Sequence, residues 1–220
     1  MAGRPVYFGV SVSFPFPGAL ARISRRRPLK IIPYPHPTLR RVSKPLRRVD
    51  ADLKSLIREM FDLMYEARGI GLAANQVGVP LRFFIVNLEA APDKGEELVF
   101  INPVLSRAKG SGEAEEGCLS LPSLYGNVSR PKQIRVDAYN LQGQPYSATL
   151  TGLFSRCVQH ESDHLDGVMF IDRMTDFARA SIRETLEEFQ IDFDSRRSMG
   201  EYGDDAAIAE TWRQWESRYA

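Results

Sequence analysis

An H-E-x-x-H pattern lies inside the stretch CVQHESDHLDG, residues 157–167. The surrounding sequence predicts a helix that begins near Leu153. On a helix, His160 and His164 share one face because they are four residues apart, and both imidazoles can point at the same ion. Glu161 lies beside them and can reach a water molecule. Two of the three histidines in the chain are here, which argues against a chance match on a polar helix.

Two imidazoles leave a metal site incomplete, and the sequence offers several third ligands. A glutamate on a downstream helix is one kind, with Glu184, Glu187 and Glu188 as the candidates. Cys118, in EEGCLSLPS, is another, since a thiolate and two imidazoles leave one position open for water. We expect this cysteine in a short unusual stretch rather than in a core strand. The neighbouring Gly117 lets the backbone approach closely there. Cys157 lies only three residues before His160, so a packing role suits it better.

The rest of the chain predicts strands and helices of an α+β domain. Residues 51–67 have helical apolar spacing, with Asp50 as cap and Gly69 as stop. Strands are predicted at 81–88 and 98–105, a hairpin at 133–152 and a further helix at 175–190, with Phe177, Leu186 and Phe189 on one side. The predicted fold has mixed, largely antiparallel β-sheets around a central helix that carries the H-E-x-x-H motif.

Composition excludes several classes of protein. The 220 residues are 43% hydrophobic and 26% charged with a net charge of +1, so we expect neither sequence-specific nucleic-acid binding nor a membrane span. Two cysteines do not make a disulfide scaffold, and a reducing compartment is the simpler interpretation.

The two ends of the chain differ from its middle. Residues 1–28 form an N-terminal extension in a region that contains no acidic residue before Asp50. We interpret it as an untargeted extension or a mis-called start, with an organellar transit peptide and a secretory signal as alternatives. Residues 194–220 form a tail, predicted to be helical, whose Trp212, Trp215 and Tyr219 have 3–4 spacing. This stripe predicts docking onto its own or a neighbouring chain. His36 is expected to be a surface or packing residue.

Three motifs occur in order: GIGLAANQ (69–76), EGCLS (116–120) and QHESDH (159–164). Together they resemble the signature motifs of the peptide deformylases, over residues 29–193. The resemblance implies a deformylase catalytic domain there, with Cys118, His160 and His164 holding one divalent metal. That metal is Fe(II) in the family, which also accepts zinc, nickel or cobalt. The implied reaction hydrolyses the formyl group from N-formyl-methionine at the start of new polypeptides and releases formate.

The resemblance also implies roles and partners. Glu161 moves a proton, and the Gln76 side-chain amide and the Leu119 backbone N–H stabilise the oxyanion. The implied partners are N-formyl-Met nascent polypeptides and the ribosome near the nascent-chain exit, in the cytoplasm of a bacterium.

Substrate contacts are predicted on both sides of this centre. The substrate backbone is expected to pair as an added strand with Ile70, Gly71 and the segment near Gly117 and Tyr125. The methionine side chain needs an apolar pocket, and the candidates for its walls are Leu153, Cys157 and the aliphatic part of Arg156. Arg130 is expected to pair with Glu116 and to brace the Cys118 loop.

Two other functions remain open at this level. An H-E-x-x-H peptidase would cut internal peptide bonds. A non-catalytic metal-binding or ribosome-associated protein would need neither Glu161 nor Gln76, and the presence of both argues against it.

Overall fold

Two antiparallel sheets surround one central helix in the computed structural model, which describes residues 29–220. The predicted extension at 1–28 and its targeting alternatives lie outside the described residues. The strands are β1 (Gly71–Ala73), β2 (Phe83–Val86), β3 (Leu98–Lys109), β4 (Gly112–Cys118), β5 (Leu121–Arg130), β6 (Gln133–Tyr139) and β7 (Pro145–Thr151). Five of them form a sheet in the order β1-β2-β3-β6-β7, and β4 pairs with β5. The predicted α+β fold, including the hairpin of β6 and β7, is confirmed.

Six α-helices lie in the described part of the chain. They are α1 (Ala51–Glu66), α2 (Gly152–Leu165), α3 (Phe170–Arg173), α4 (Asp176–Ser181), α5 (Arg183–Ser198) and α6 (Asp205–Tyr219). The prediction for α1 is confirmed: Asp50 accepts a hydrogen bond from the Leu53 N–H at 2.9 Å, and Gly69 follows its last turn. In the described residues, no helix combines the length and the apolarity that crossing a bilayer requires.

Strand β2 of the five-stranded sheet is buried on both faces. Phe83 and Ile85 of β2 face α1, while Phe84 and Val86 face α2, and all four are fully buried. Successive side chains of a strand point to opposite faces, so this continuous apolar run needs a helix on each side. The arrangement places α2 in the interior, where nearly every residue from 155 to 165 is buried.

The predicted single helix at 175–190 is wrong in one respect. The helix is interrupted at Ile182, which lies between α4 and α5, and α5 then continues to residue 198. The shared side predicted for Phe177, Leu186 and Phe189 is also wrong: α4 buries no residue and Phe177 is 89% exposed, while Leu186 and Phe189 pack against the core. The predicted domain boundary at residue 193 falls inside α5.

The aromatic stripe of α6 docks on its own chain. Tyr219 is 1% exposed, and its hydroxyl donates to Asp50 Oδ1 at 2.9 Å. Trp212 Nε1 donates to Thr38 Oγ1 at 2.8 Å, and Trp215 packs against the core around α1.

His36 is a packing residue, as predicted, buried with its ring edge-on to Phe193 and Tyr202.

Candidate metal centre

Three buried side chains converge at the end of β4 and the middle of α2. The candidate ligand atoms of Cys118, His160 and His164 all lie within 4.8 Å of one another, and Cys118 Sγ is 3.3 Å from His164 Nε2. A buried thiolate with two imidazoles is a donor set that suits zinc and iron, so the residues fit a divalent metal. Burial lowers the pKa of His164 well below its usual value, which keeps its imidazole neutral and able to coordinate.

The other third-ligand candidates lie elsewhere. The downstream glutamates are exposed on α5 and are not members of this group; they are Glu184, Glu187 and Glu188. Cys157 Sγ points at the Ile70 carbonyl at 3.8 Å, and burial raises its thiol pKa well above the usual value. Cys157 therefore stays protonated and away from the other ligand atoms.

The expectation that Cys118 lies outside a regular strand is wrong. It is the last residue of β4, where the register with β5 shifts between Gly117 and Cys118. The sequence GEAEEGC hides this strand because its three glutamates and two glycines are weak strand formers. Pairing with β5 supplies the structure that local propensity does not.

Glu116 orients one of the imidazoles. Its Oε2 lies 3.0 Å from His160 Nδ1, which leaves Nε2 of that ring free to point at the metal position. The predicted Arg130–Glu116 pair is present, with Arg130 Nε at 2.6 Å from Oε1 and Nη2 at 2.9 Å from Oε2. Burial raises the pKa of the Glu116 carboxyl, but hydrogen bonds from His160 and Arg130 outweigh it and hold this pKa well below its usual range.

The sequence analysis did not identify Asp163 and Arg173 as members of this charge network. Arg130 Nη1 also donates to Asp163 at 2.7 Å, and Arg173 Nη2 donates to the same carboxylate at 2.6 Å. Arg156 donates to Glu116 Oε1 at 2.6 Å, so its guanidinium forms an ion pair within the network in addition to the pocket role expected of its stem. Asp163 lies inside the H-E-x-x-H motif, which was the one available signal.

Glu161 occupies a tight buried position. It is 4% exposed, and its Oε2 has no hydrogen-bond partner among the described residues. Burial raises the pKa of Glu161 to about 7. A Cβ on Gly71 would lie 2.5 Å from Glu161 Oε1, so the bare glycine makes room for this carboxylate. A carboxylate with a pKa near neutrality can both accept and return a proton.

Gln76 presents its amide donor to the same centre. Its Oε1 accepts from the Ala73 N–H at 2.9 Å, which fixes the amide orientation. Its Nε2 then lies 3.4 Å from Cys118 Sγ and 3.3 Å from Ser120 Oγ. Leu119 follows Cys118 in the turn between β4 and β5, and its side chain packs where Gly69 has no Cβ.

The residues predicted to bind substrate lie around this centre at different depths. Gly71 begins β1, which is an edge strand of the five-stranded sheet and leaves one side open to another strand. The Ile70 carbonyl is already bonded to the Asn87 N–H at 3.0 Å. Tyr125 is opposite Gly117 in the hairpin and is 59% exposed. Leu153 is 57% exposed and, with Arg156, lines a cavity of about 720 Å³.

Comparisons with known proteins find relatives that cover most of this chain. A family model described as polypeptide deformylase matches residues 28–180. The chain is 50% identical over 192 residues to a peptide deformylase of Rhodopirellula baltica, covering 87% of this chain and 96% of that protein. It is 43% identical over 173 residues to peptide deformylase 1B, chloroplastic, of Solanum lycopersicum, covering 78% and 62% respectively. It is also similar to a plant peptide deformylase PDF1B crystal structure, with a TM-score of 0.76 and 40% identity, covering 80% and 96%.

Proposed function

The chain belongs to the polypeptide deformylase family, and from that premise we propose which of its residues perform each part of the reaction. The protein removes the N-formyl group from nascent polypeptides by hydrolysis of the formyl amide. The observation that carries the residue assignment is the convergence of Cys118, His160 and His164 within 4.8 Å, on buried elements beside Glu161 and Gln76.

The three converging side chains are the proposed metal ligands. A bound divalent ion would supply Lewis acidity toward water and toward the formyl oxygen. The chain contributes a neutral His164, a His160 whose Nδ1 is held by Glu116, and the Cys118 sulfur. We propose Fe(II) as the physiological ion, with zinc, nickel or cobalt also accepted, because a thiolate with two imidazoles suits all four.

Glu161 is the proposed proton carrier. As water attacks the formyl carbon, Glu161 accepts one of its protons, and it returns that proton to the leaving nitrogen when the C–N bond breaks. The products are formate and a free amino terminus. A pKa of about 7 for Glu161 suits both transfers near neutral pH.

Gln76 and Leu119 are the proposed oxyanion donors. The Gln76 amide is fixed by the Ala73 N–H and turns its Nε2 toward Cys118. The Leu119 backbone N–H is supplied by the residue directly after Cys118. Donors held in place before the reaction stabilise developing negative charge, and losing one typically costs about 10²-fold or more in rate.

The substrate is proposed to enter as an additional strand. The open side of β1, beginning at Gly71, can pair with a peptide backbone, while Gly117 and Tyr125 flank it on the hairpin. Ile70 lies just before β1 and contributes to the same wall. Leu153, Cys157 and the stem of Arg156 are proposed to surround the methionine side chain.

Cellular context is part of the proposal. The substrate class suggests action on chains leaving the ribosome, in the cytoplasm of a bacterium, as supported by the Rhodopirellula baltica relative. Organellar targeting by residues 1–28 is the alternative, since the Solanum lycopersicum relative is named chloroplastic. We propose 29–193 as the catalytic domain and 194–220 as a helical tail.

The test is anaerobic purification, metal analysis and formate release from a formyl-Met peptide. We expect one metal per chain and activity on formylated peptides only. Glu161→Gln should keep the metal and lose at least about 10²-fold in rate. Full activity in Glu161→Gln would refute the mechanism, and cleavage of an internal bond without deformylation would favour a peptidase.

The third ligand has its own test. Cys118→Ala should abolish stoichiometric metal binding because, among the residues that the structure describes, no other cysteine joins the two imidazoles in this group. The controls are single alanine variants of the exposed glutamates on α5, which should bind metal normally: Glu184, Glu187 and Glu188. Metal loss in one of these controls would instead implicate that carboxylate.

A further inference from the structure

Arg156 lies one helical turn before His160 on α2, and its guanidinium spans both strands of the β4–β5 hairpin. Its Nη1 donates to Glu116 Oε1 at 2.6 Å and to the Val128 carbonyl at 2.9 Å. Its Nη2 donates to the Gly112 carbonyl at 2.7 Å. One side chain of α2 therefore holds a carboxylate and a carbonyl on β4 together with a carbonyl on β5.

The hairpin and α2 must stay in fixed register for the metal centre to exist. Cys118 ends β4, whereas His160 and His164 are on α2, and each group alone is incomplete. Arg130 reaches from β5 to Asp163 on α2 at 2.7 Å. Arg156 crosses in the opposite direction, from the helix to the hairpin, so the two guanidiniums tie the elements together at two places.

Glu116 connects the contacts of Arg156 and Arg130 to the proposed metal ligand His160. Its Oε1 accepts from Arg156 and Arg130, and its Oε2 accepts from Arg130 and faces His160 Nδ1. Because Arg156 and His160 are on the same helix face, they hold the two ends of one carboxylate from a single rigid element. The carboxylate cannot rotate away from the imidazole without breaking a charge-assisted bond.

We propose that Arg156 is a positioning residue for the metal centre, which acts by holding Glu116 and the β4–β5 hairpin against α2. This inference rests on the proposed ligand set. It assigns Arg156 a role beyond the wall of the methionine pocket, so its loss affects retention of the ion before it affects recognition of the substrate.

The experiment compares Arg156→Met, Arg156→Lys and the wild-type protein loaded with Co(II) as the probe. Cobalt affinity is measured by competition with a chelator, and the sulfur-to-cobalt absorption band reports the Cys118 bond. We expect Arg156→Met to lose about 10- to 100-fold in cobalt affinity, the range typical of residues that orient metal ligands. KM for a formyl-Met peptide should change little, because methionine keeps the apolar stem that is proposed to line the substrate pocket. Arg135→Met is the matched control, because within the described part of the chain Arg135 makes side-chain hydrogen bonds only to Asp137, and both residues lie on β6.

Arg156→Lys keeps a charge near Glu116 and is the variant to use if Arg156→Met does not fold. A single ammonium cannot span Glu116, Val128 and Gly112 together, so we expect a smaller loss than for Arg156→Met. Cobalt affinity equal to wild type in both variants, or a raised KM with unchanged affinity, would overturn the inference while leaving the proposed function intact. Failure of the wild-type protein to bind cobalt with the sulfur band would overturn both.

Discussion

Replacement of Gly71 by alanine tests the geometry of the proton carrier. The alanine Cβ would lie 2.5 Å from Glu161 Oε1, 2.9 Å from Glu161 Cδ and 2.9 Å from Cys157 Sγ. Ordinary van der Waals contact begins at 3.4 Å, so the carboxylate must move by about 0.9 Å (3.4 − 2.5) if the backbone stays in place. The helix around Glu161 is buried and cannot move as a whole, so the carboxylate itself is displaced.

A displacement of this size affects the rate more than the fold. Misplacement of a reacting group by about 1 Å can cost about 10²-fold. We therefore expect Gly71→Ala to lower kcat for formyl-Met peptide about 10²-fold, with metal content unchanged because the three atoms nearest the alanine Cβ belong to no proposed metal ligand. Formate release and metal analysis measure the two quantities. Gly112→Ala is the control, since the atoms nearest its Cβ belong to the flexible Lys132 side chain, the nearest at 3.0 Å, and the backbone carbonyl that accepts from Arg156 is kept.

A double-mutant cycle separates this steric effect from a general disturbance. Glu161→Asp shortens the carboxylate by one methylene and moves it away from position 71. If Gly71→Ala acts by displacing Glu161, adding it to Glu161→Asp should cost little more than Glu161→Asp alone. Wild-type turnover in Gly71→Ala, or full additivity in the double variant, would refute the reasoning.

Four further variants at three positions test other parts of the structure. Burial lowers the pKa of His36 from 6.5 to about 4, so between these pH values the unfolded chain binds more protons than the folded one. The free energy of unfolding should therefore be highest above about pH 6.5 and fall by up to about 3 kcal/mol toward pH 4. Denaturant titrations of His36→Asn, which keeps an acceptor for the Thr38 N–H, should lack this loss, and an equal loss would contradict the prediction. Tyr219→Phe should cost about 1 kcal/mol for the bond to Asp50, and Tyr219→Ala about 3–5 kcal/mol for the buried ring; equal unfolding midpoints for the two would contradict a docked α6. Arg130→Ala breaks a buried ion pair and should cost about 3–5 kcal/mol with lower metal content, whereas unchanged metal content and turnover would remove its bracing role.

The sequence predicted the elements whose cause is local. The apolar spacing after Asp50 determined α1, and the apolar run at 81–88 predicted a strand because both depend on neighbours within a few residues. The chemistry of the centre was also readable, since His160 and His164 meet by helical periodicity alone. The sequence offered several third ligands for the metal, and only the family resemblance selected Cys118. Local periodicity could not select it, because Cys118 lies 42 and 46 positions before the two histidines (160 − 118 and 164 − 118).

Local patterns failed where a long-range contact overrides propensity. The glycine- and glutamate-rich β4 becomes a strand only because β5 pairs with it. The helix predicted at 175–190 breaks at Ile182, and the apolar pattern does not reveal which side of each piece meets the core.

The sequence by itself determined the kind of centre: two imidazoles, an adjacent carboxylate and an available thiol. Only the tertiary structure decided that Cys118 reaches the imidazoles, that Glu116 receives both Arg130 and Arg156, and that Gly71 leaves room for Glu161. The physical reason is that periodicity fixes directions within one element. Distances between elements, and the burial that raises the pKa of Glu161, arise only when the sheets close around α2.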